Sequence, residues 1–173
     1  MNRFHKFTLT AIALLCFAVV SPLREALSKQ EAAHQSAKTN MEIDLPEIVA
    51  EVKAAYDRYN QAVNSNNVAI LDATFRNDPR TIRYGNAENL YGYKEIEAYR
   101  GANRPPAGAP RTLSKTVITT YGRDFAVAST LTHRANAPGK VGRQMQTWVR
   151  FPDGWRVVAA HVSTIDLPLA DRP

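Results

Sequence analysis

The chain has 173 residues, of which 45% are hydrophobic and 22% are charged, with 8 Gly and 10 Pro. This composition is typical of one globular domain and excludes collagen-like, coiled-coil and fully disordered chains. The formal net charge is +6, but Lys and Arg are spread along the chain without a cluster, so we expect no nucleic-acid partner and a modest positive field that attracts small anions.

The first 40 residues differ from the rest of the chain. Basic residues near the start precede an apolar run at residues 7–20, which is the outline of a signal peptide within residues 1–28; export to the periplasm is one of two interpretations that we weigh equally. The run is shorter than the ~20 residues of a membrane-spanning helix, so we expect no stable membrane span. The alternative is that translation begins at Met41 and the protein is cytoplasmic. In both cases residues 41–173 are interpreted as one domain.

Two helices are predicted at the start of this domain. Asp44, followed by Leu45 and Pro46, predicts a helix start with Asp44 as its cap. An apolar stripe with helical spacing then extends to about residue 64 and consists of Val49, Val52, Tyr56, Tyr59 and Val63. A second, short helix is predicted from Val68 to Phe75.

After Pro79 the pattern changes to strands. A hairpin is predicted from Thr81 to Tyr91, a third helix from Tyr93 to Tyr99, and a loop rich in Pro, Gly and Ala from Gly101 to Pro110. Four longer strands follow at residues 112–121, 125–133, 142–151 and 155–163. This order predicts an α+β fold with the helices on one face of a curved antiparallel sheet.

The last strands suggest what covers the other face. Alternation from Trp155 predicts that His161 is buried on the face of Trp155, Val157 and Ala159, and the opposite face of this strand is apolar as well. A homodimer packed through the sheet would cover the second face. Gln144, Gln146 and Trp148 share one face of the preceding strand and line either a pocket or, as we favour, the dimer interface.

The sequence lacks several common catalytic and metal-binding motifs, which limits the reactions that the domain could catalyse. The domain contains only His133 and His161, without a metal-ligand spacing, and the single Cys16 lies in the apolar run. Acyl-enzyme and nucleotide-binding motifs are absent. We therefore expect no metal and no cofactor, and any catalysis would act through bound water or proton transfer.

Two residues are the candidates for catalysis. Tyr59 lies on the inward stripe of the first helix, where it is either a core tyrosine bonded to a backbone acceptor or a donor to a substrate carbonyl oxygen. In the first strand of the hairpin, the side chain of Arg83 lies on the face opposite to the side chains of Ile82 and Tyr84. There it is either exposed to solvent or binds a carboxylate by two parallel hydrogen bonds.

Further residues are candidates for substrate binding. They are Tyr91 in the hairpin and His161. Histidine as a residue type can transfer protons near neutral pH, although we favour a structural, hydrogen-bonded role for His161 over that of a catalytic base. Arg100, Arg104 and Arg111 flank the loop and either are solvated or gather an anionic substrate.

Several blocks of sequence resemble one known family. The blocks are MEIDLP at residues 41–46, TIRYG at 81–85, ENLYG at 88–92, TVITTYGRD at 116–124 and the segment from QTWVRF at 146 to HVS ending at 163. In this order they resemble the AtzH-like, HpxZ-like family, a SnoaL-like branch of the nuclear transport factor 2-like superfamily, over residues 41–165.

The resemblance implies a fold and a function. It implies a cone-shaped α+β fold with three helices on the concave face of the sheet, usually dimeric, and an amidohydrolase of a carboxylated urea such as dicarboxyurea or of a related ureido acid. The alternative that it implies is a ureido-acid-binding or accessory protein of an amidase-signature enzyme in oxalurate catabolism. Tyr59 and Arg83 match the positions where such a site would place its tyrosine and arginine. The N-terminal extension departs from the family, and export would weaken the metabolic assignment.

Overall fold

The computed structural model describes residues 24–30, 41–103 and 109–167. Residues 24–30 form a short helical segment, and Glu42–Pro173 form a second compact unit. Most of the predicted signal peptide, and Arg104, lie outside the described residues. In the ranges described, no helix is long and apolar enough to cross a membrane.

Three helices of the second unit confirm the predicted ones. They are α1 (Pro46–Asn64), α2 (Val68–Thr74) and α3 (Tyr93–Asn103). Asn67 caps α2, since its side chain accepts a hydrogen bond from the backbone N–H of Ile70 at 3.1 Å. Helix α3 runs four residues beyond the predicted end, into the segment that we interpreted as loop. The helices therefore follow the sequence periodicity closely.

Six strands form one sheet in the order β2-β1-β6-β5-β4-β3. The strands are β1 (Ile82–Tyr84), β2 (Asn89–Tyr91), β3 (Arg111–Tyr121), β4 (Phe125–Arg134), β5 (Lys140–Phe151) and β6 (Gly154–Asp166). All pairs are antiparallel except β1 and β6, which are parallel. The sheet is therefore mixed at this one pair, which the sequence did not indicate because the pairing joins strands distant in the chain that no local turn signal connects.

The helices pack on one face of this sheet, which we call the concave face. Residues of α1, such as Val52 and Tyr56, share a buried core with concave-face residues of the central strands, including Ala128, Trp148 and Val157. We call the other side the outer face. The predicted α+β architecture, with its helices on one face of a curved sheet, is confirmed.

A β-bulge in β6 reverses the predicted alternation. Thr147 pairs with Ala159 whereas Trp148 pairs with Val157, so Val158 is an extra residue in β6. Beyond the bulge Ala160 turns to the concave face and His161 to the outer face, where His161 is exposed. The prediction that His161 is buried was wrong, because it counted parity from Trp155 through the bulge.

Asp44 has a different role from the predicted one. The residue at the cap position of α1 is Leu45, and no side chain caps this helix. Asp44 has a left-handed backbone with φ of 57°, and its Oδ1 atom accepts a hydrogen bond from the backbone N–H of Thr120 at 2.8 Å. Asp44 thus attaches the segment before α1 to the edge strand β3.

We expect Asp44→Ala to lower the free energy of unfolding by about 1–3 kcal/mol, because the N–H of the fully buried Thr120 would lose its acceptor. Urea unfolding would measure the change. The matched control is Glu42→Ala, an exposed acid two residues earlier that contributes only its backbone carbonyl to this contact. Equal stabilities of the two variants would contradict the assigned role.

Candidate functional site

The concave face carries a row of buried polar side chains below α1. Thr130 of β4 pairs with Gln144 of β5, and Gln146 lies two residues further along the same face. Gln144 and Gln146 are 3% and 1% exposed. Both therefore lie inside the chain, and the interface position that we favoured for them was wrong. The interior of the cone is polar at this place.

Tyr59 reaches this interior from α1. Its side chain is 6% exposed and its ring lies 6.4 Å from the ring of Phe75, at the end of α2. Its hydroxyl makes no hydrogen bond with any residue described, so the alternative of a tyrosine tied to a backbone acceptor finds no support there. A phenol buried in this way is available to a ligand.

Arg83 also faces the interior. In β1 it lies opposite Leu90 of β2 and Ala160 of β6, both on the concave side. Its guanidinium forms an ion pair with Glu88, and the side chains of both are largely buried, at 20% and 13% exposed. It also lies 5.8 Å from the ring of Tyr99 of α3. The structure therefore does not show a fully solvated Arg83. Its described carboxylate partner is Glu88 of the same chain, and binding of a substrate carboxylate stays a prediction.

Glu88 is ionised by this pairing. Partial burial acts to raise the pKa of the Glu88 carboxyl, but the hydrogen bond and charge of Arg83, together with hydrogen bonds from Ala87 and Tyr99, outweigh burial and hold the pKa below its ordinary value. A carboxylate of the protein itself therefore occupies the guanidinium that we predicted to bind the carboxylate of a substrate.

The arginine closest to Tyr59 in the described contacts is Arg111 at the start of β3, not Arg83. The Arg111 guanidinium lies 5.8 Å from the Tyr59 ring and donates hydrogen bonds to Gln144 and Asn60. The sequence placed Arg111 only beside a loop. Arg111 is buried on the concave face, at 9% exposed, because it is the first residue of β3 and its side chain points inward. The predicted strand began one residue later.

Arg100 has a structural partner. It forms an ion pair with Asp72 of α2 at 2.7 Å and stacks on Phe75 at 4.4 Å. This ion pair connects α3 to α2. Of the two loop-flanking arginines that the structure describes, Arg100 thus has an acidic partner and Arg111 has none among the described residues.

Tyr91 and His161 are not brought together with Tyr59 and Arg83. Tyr91 is 57% exposed, and its hydroxyl hydrogen-bonds the hydroxyl of Tyr84 at 3.1 Å. The Tyr84 ring in turn meets the His161 ring edge-on at 6.2 Å, on the outer face. A role for Tyr91 and His161 in substrate binding stays a prediction, and it would have to be exerted from outside the cone.

Comparisons with known proteins agree with the fold. The profile of the family described as AtzH-like matches residues 41–168. The crystal structure of a protein of unknown function from the DUF3225 family of Pectobacterium atrosepticum is 54% identical, with a TM-score of 0.69, over 72% of this chain and 95% of that chain. A cystatin-like fold protein from Burkholderia xenovorans is 45% identical, with a TM-score of 0.70, over 75% of this chain and 100% of that chain.

More distant structures extend the likeness to the fold alone. An NTF2-like protein of unknown function from Pseudomonas putida is 15% identical, with a TM-score of 0.60, over 78% of this chain and 95% of that chain. The predicted nuclear transport factor 2-like fold is therefore confirmed. No curated protein matches the chain.

Proposed function

Because the chain belongs to the AtzH-like family, we propose that it is a small-molecule amidohydrolase acting on a carboxylated urea of the dicarboxyurea type or on a related ureido acid. The observation that carries the proposal is the Arg83–Glu88 pair: a buried guanidinium on the concave face already holds a carboxylate. The carboxylate of a substrate would replace Glu88 there, in the geometry of two parallel hydrogen bonds.

Tyr59 would act on the reacting carbonyl group. Water adds to the ureido carbonyl carbon, the C–N bond breaks, and the leaving nitrogen takes up a proton. The Tyr59 hydroxyl donates a hydrogen bond to the oxygen on which negative charge develops, or donates the proton to the leaving nitrogen. Arg83 fixes the substrate so that the carbon meets the water, which lowers the entropic part of the barrier. This scheme uses no nucleophile of the protein.

The proposal is tested with the purified protein alone. Loss of dicarboxyurea and of oxalurate would be followed together with ammonia release, since hydrolysis of a carboxylated urea yields a carbamate that decomposes to ammonia. Turnover of either compound supports an autonomous hydrolase. Lack of turnover, with a changed rate or stability of an amidase-signature enzyme upon mixing, would assign the accessory role instead.

The outer face supports a homodimer packed through the sheet. Val117 and Met145 are 57% and 55% exposed although they lie near the centre of their strands. Together with Ser129 and His161 they form one row across the sheet. A second copy of the chain would cover this row, and a residue close to the two-fold axis would then contact its own copy.

We expect Met145→Glu to convert such a dimer to a single chain of 19.2 kDa, because like charges would face each other across a desolvated interface, at a cost of several kcal/mol. Light scattering coupled to gel filtration measures the mass. Ile70→Glu, which introduces the same charge on the exposed side of α2, is the control that should remain dimeric. A wild-type protein with the mass of one chain, or a dimeric Met145→Glu protein, would contradict this interface.

A further inference from the structure

The charge of Arg111 is buried without a counter-charge. Its side chain forms hydrogen bonds with two neutral amide oxygens, Oε1 of Gln144 at 3.0 Å and Oδ1 of Asn60. No carboxylate lies within ion-pair distance of it among the residues described. A guanidinium has five N–H donors, and the Nε donor of Arg111 is buried with no partner.

Two other arginines with largely buried side chains do have a counter-charge. Arg83 is paired with Glu88 and Arg100 with Asp72. Burying an unpaired charge is costly, so charged groups in protein interiors are normally paired with an opposite charge. Arg111 departs from that rule, while the less deeply buried Arg83 and Arg100 obey it. This contrast indicates a site whose counter-charge is an exchangeable anion.

Other buried polar atoms on the same concave face as Arg111 also lack partners. They are Nε2 of Gln144 and, two residues further along β5, both Nε2 and Oε1 of Gln146. The Tyr56 hydroxyl makes no hydrogen bond of good geometry either, although Thr130 and Asn60 lie close to it. Buried polar atoms are seldom left unpaired, and several in one place call for a ligand or water. Burial raises the pKa of the Tyr56 phenol, against the opposing effects of Thr130, Asn60 and the Arg111 charge, so that this hydroxyl stays a neutral donor.

These atoms lie on the same surface as Arg83. In the sheet register Arg83 lies beside Ala160, and Ala160 lies beside Gln146. Two strand spacings separate the Cα atoms of Arg83 and Gln146 by about 10 Å, and Ala160, which lies between them, has a small side chain. A ligand held at Arg83 and directed along this row would reach Gln146 first and then Gln144, which accepts a hydrogen bond from Arg111.

We propose that Arg111, Tyr56, Gln144 and Gln146 form a second carboxylate-binding subsite, which takes the far end of a ureido compound whose first carboxylate is held by Arg83. Arg111, Tyr56 and the amide N–H groups of the two glutamines donate to the carboxylate, and Oε1 of Gln146 accepts from a ureido N–H. The subsite makes the protein selective for dianionic ureido compounds over monoanionic ones. This inference rests on the proposed function for the role of Arg83, but not on turnover.

The test compares two stable probes by titration calorimetry on the full-length protein. They are 1,3-bis(carboxymethyl)urea, which has two carboxylates, and N-carbamoylglycine, which has one. We expect the wild type to bind the dianion about 10- to 100-fold more tightly, as one charge-assisted contact provides. Arg111→Met should abolish this preference, and Arg111→Lys should keep part of it because the charge remains.

Arg100→Met is the matched control, since the Arg100 side chain is also largely buried, at 10% exposed, but has Asp72 as its partner; this variant should keep the preference. Should Arg111→Met fail to fold, Gln146→Met is the second variant. The Gln146 amide has no hydrogen-bond partner, so its removal leaves no other buried group unpaired. This variant should bind both probes more weakly. The inference is overturned if the wild type shows no preference for the dianion, or if Arg111→Met retains it. Preferential binding without hydrolysis would overturn the amidohydrolase proposal alone and leave the subsite standing.

Discussion

Tyr59→Phe is expected to lower kcat for hydrolysis of the carboxylated urea by about 10²- to 10³-fold, the cost of removing one preorganised donor from a developing oxyanion. The substitution removes a single hydroxyl, and that hydroxyl has no hydrogen-bond partner within the described part of the chain. The aromatic contact with Phe75 is kept. Steady-state kinetics would therefore show a large fall in kcat with a small change in the melting temperature.

The combination of these two readouts separates catalysis from packing. A tyrosine with only a packing role would change neither kcat nor stability when its hydroxyl is removed. Tyr121→Phe is the matched control, since Tyr121 is an exposed phenol at the end of β3 on the outer face, and its kcat should equal that of the wild type. Full turnover by Tyr59→Phe would show that the donor in the reaction is another group.

Much of the fold was predictable because it depends on local signals. Helical spacing placed α1 and α2, and Gly and Pro turns separated β3 to β6 within one or two residues of their ends, apart from the last strand. The pairing of β1 with β6 was not predictable, because it depends on contacts between distant parts of the chain. That pairing decides on which face Arg83 lies, so the sequence alone could not choose between a solvated and an inward arginine.

The candidate site shows the same limit at finer scale. No glycine or other characteristic residue type in the sequence predicts the bulge at Val158. The bulge nevertheless places His161 on the outer face instead of the predicted concave face. Tyr56 and Asn60 were missed as polar site residues because both fit the helical stripe of α1 or its edge. A buried amide beside an arginine becomes visible only when strands and helix are assembled.

Substitutions at Arg83 and at Glu88 are expected to change the catalytic efficiency in opposite directions, and this is the second large effect that we predict. Arg83→Lys keeps the charge but loses the planar pair of donors, so we expect kcat/KM to fall by about 10- to 100-fold, the value of one charge-assisted hydrogen bond. Glu88→Gln should do the reverse and lower KM, because it removes the carboxylate that competes with the substrate while keeping its shape. The lowered pKa of Glu88 means that this competition persists throughout the neutral pH range.

The same pair gives a pH dependence of stability with a defined sign. Since the pKa of Glu88 is lower in the folded protein, its ion pair stabilises the fold above the ordinary pKa of about 4.3 for an unpaired Glu, and this contribution is lost as the pH falls through the lower folded value. Wild type should therefore lose stability in acid more steeply than Glu88→Gln. If Glu88→Gln instead raises KM, Glu88 orients Arg83 rather than competing with the substrate, and the exchange of carboxylates at Arg83 is refuted.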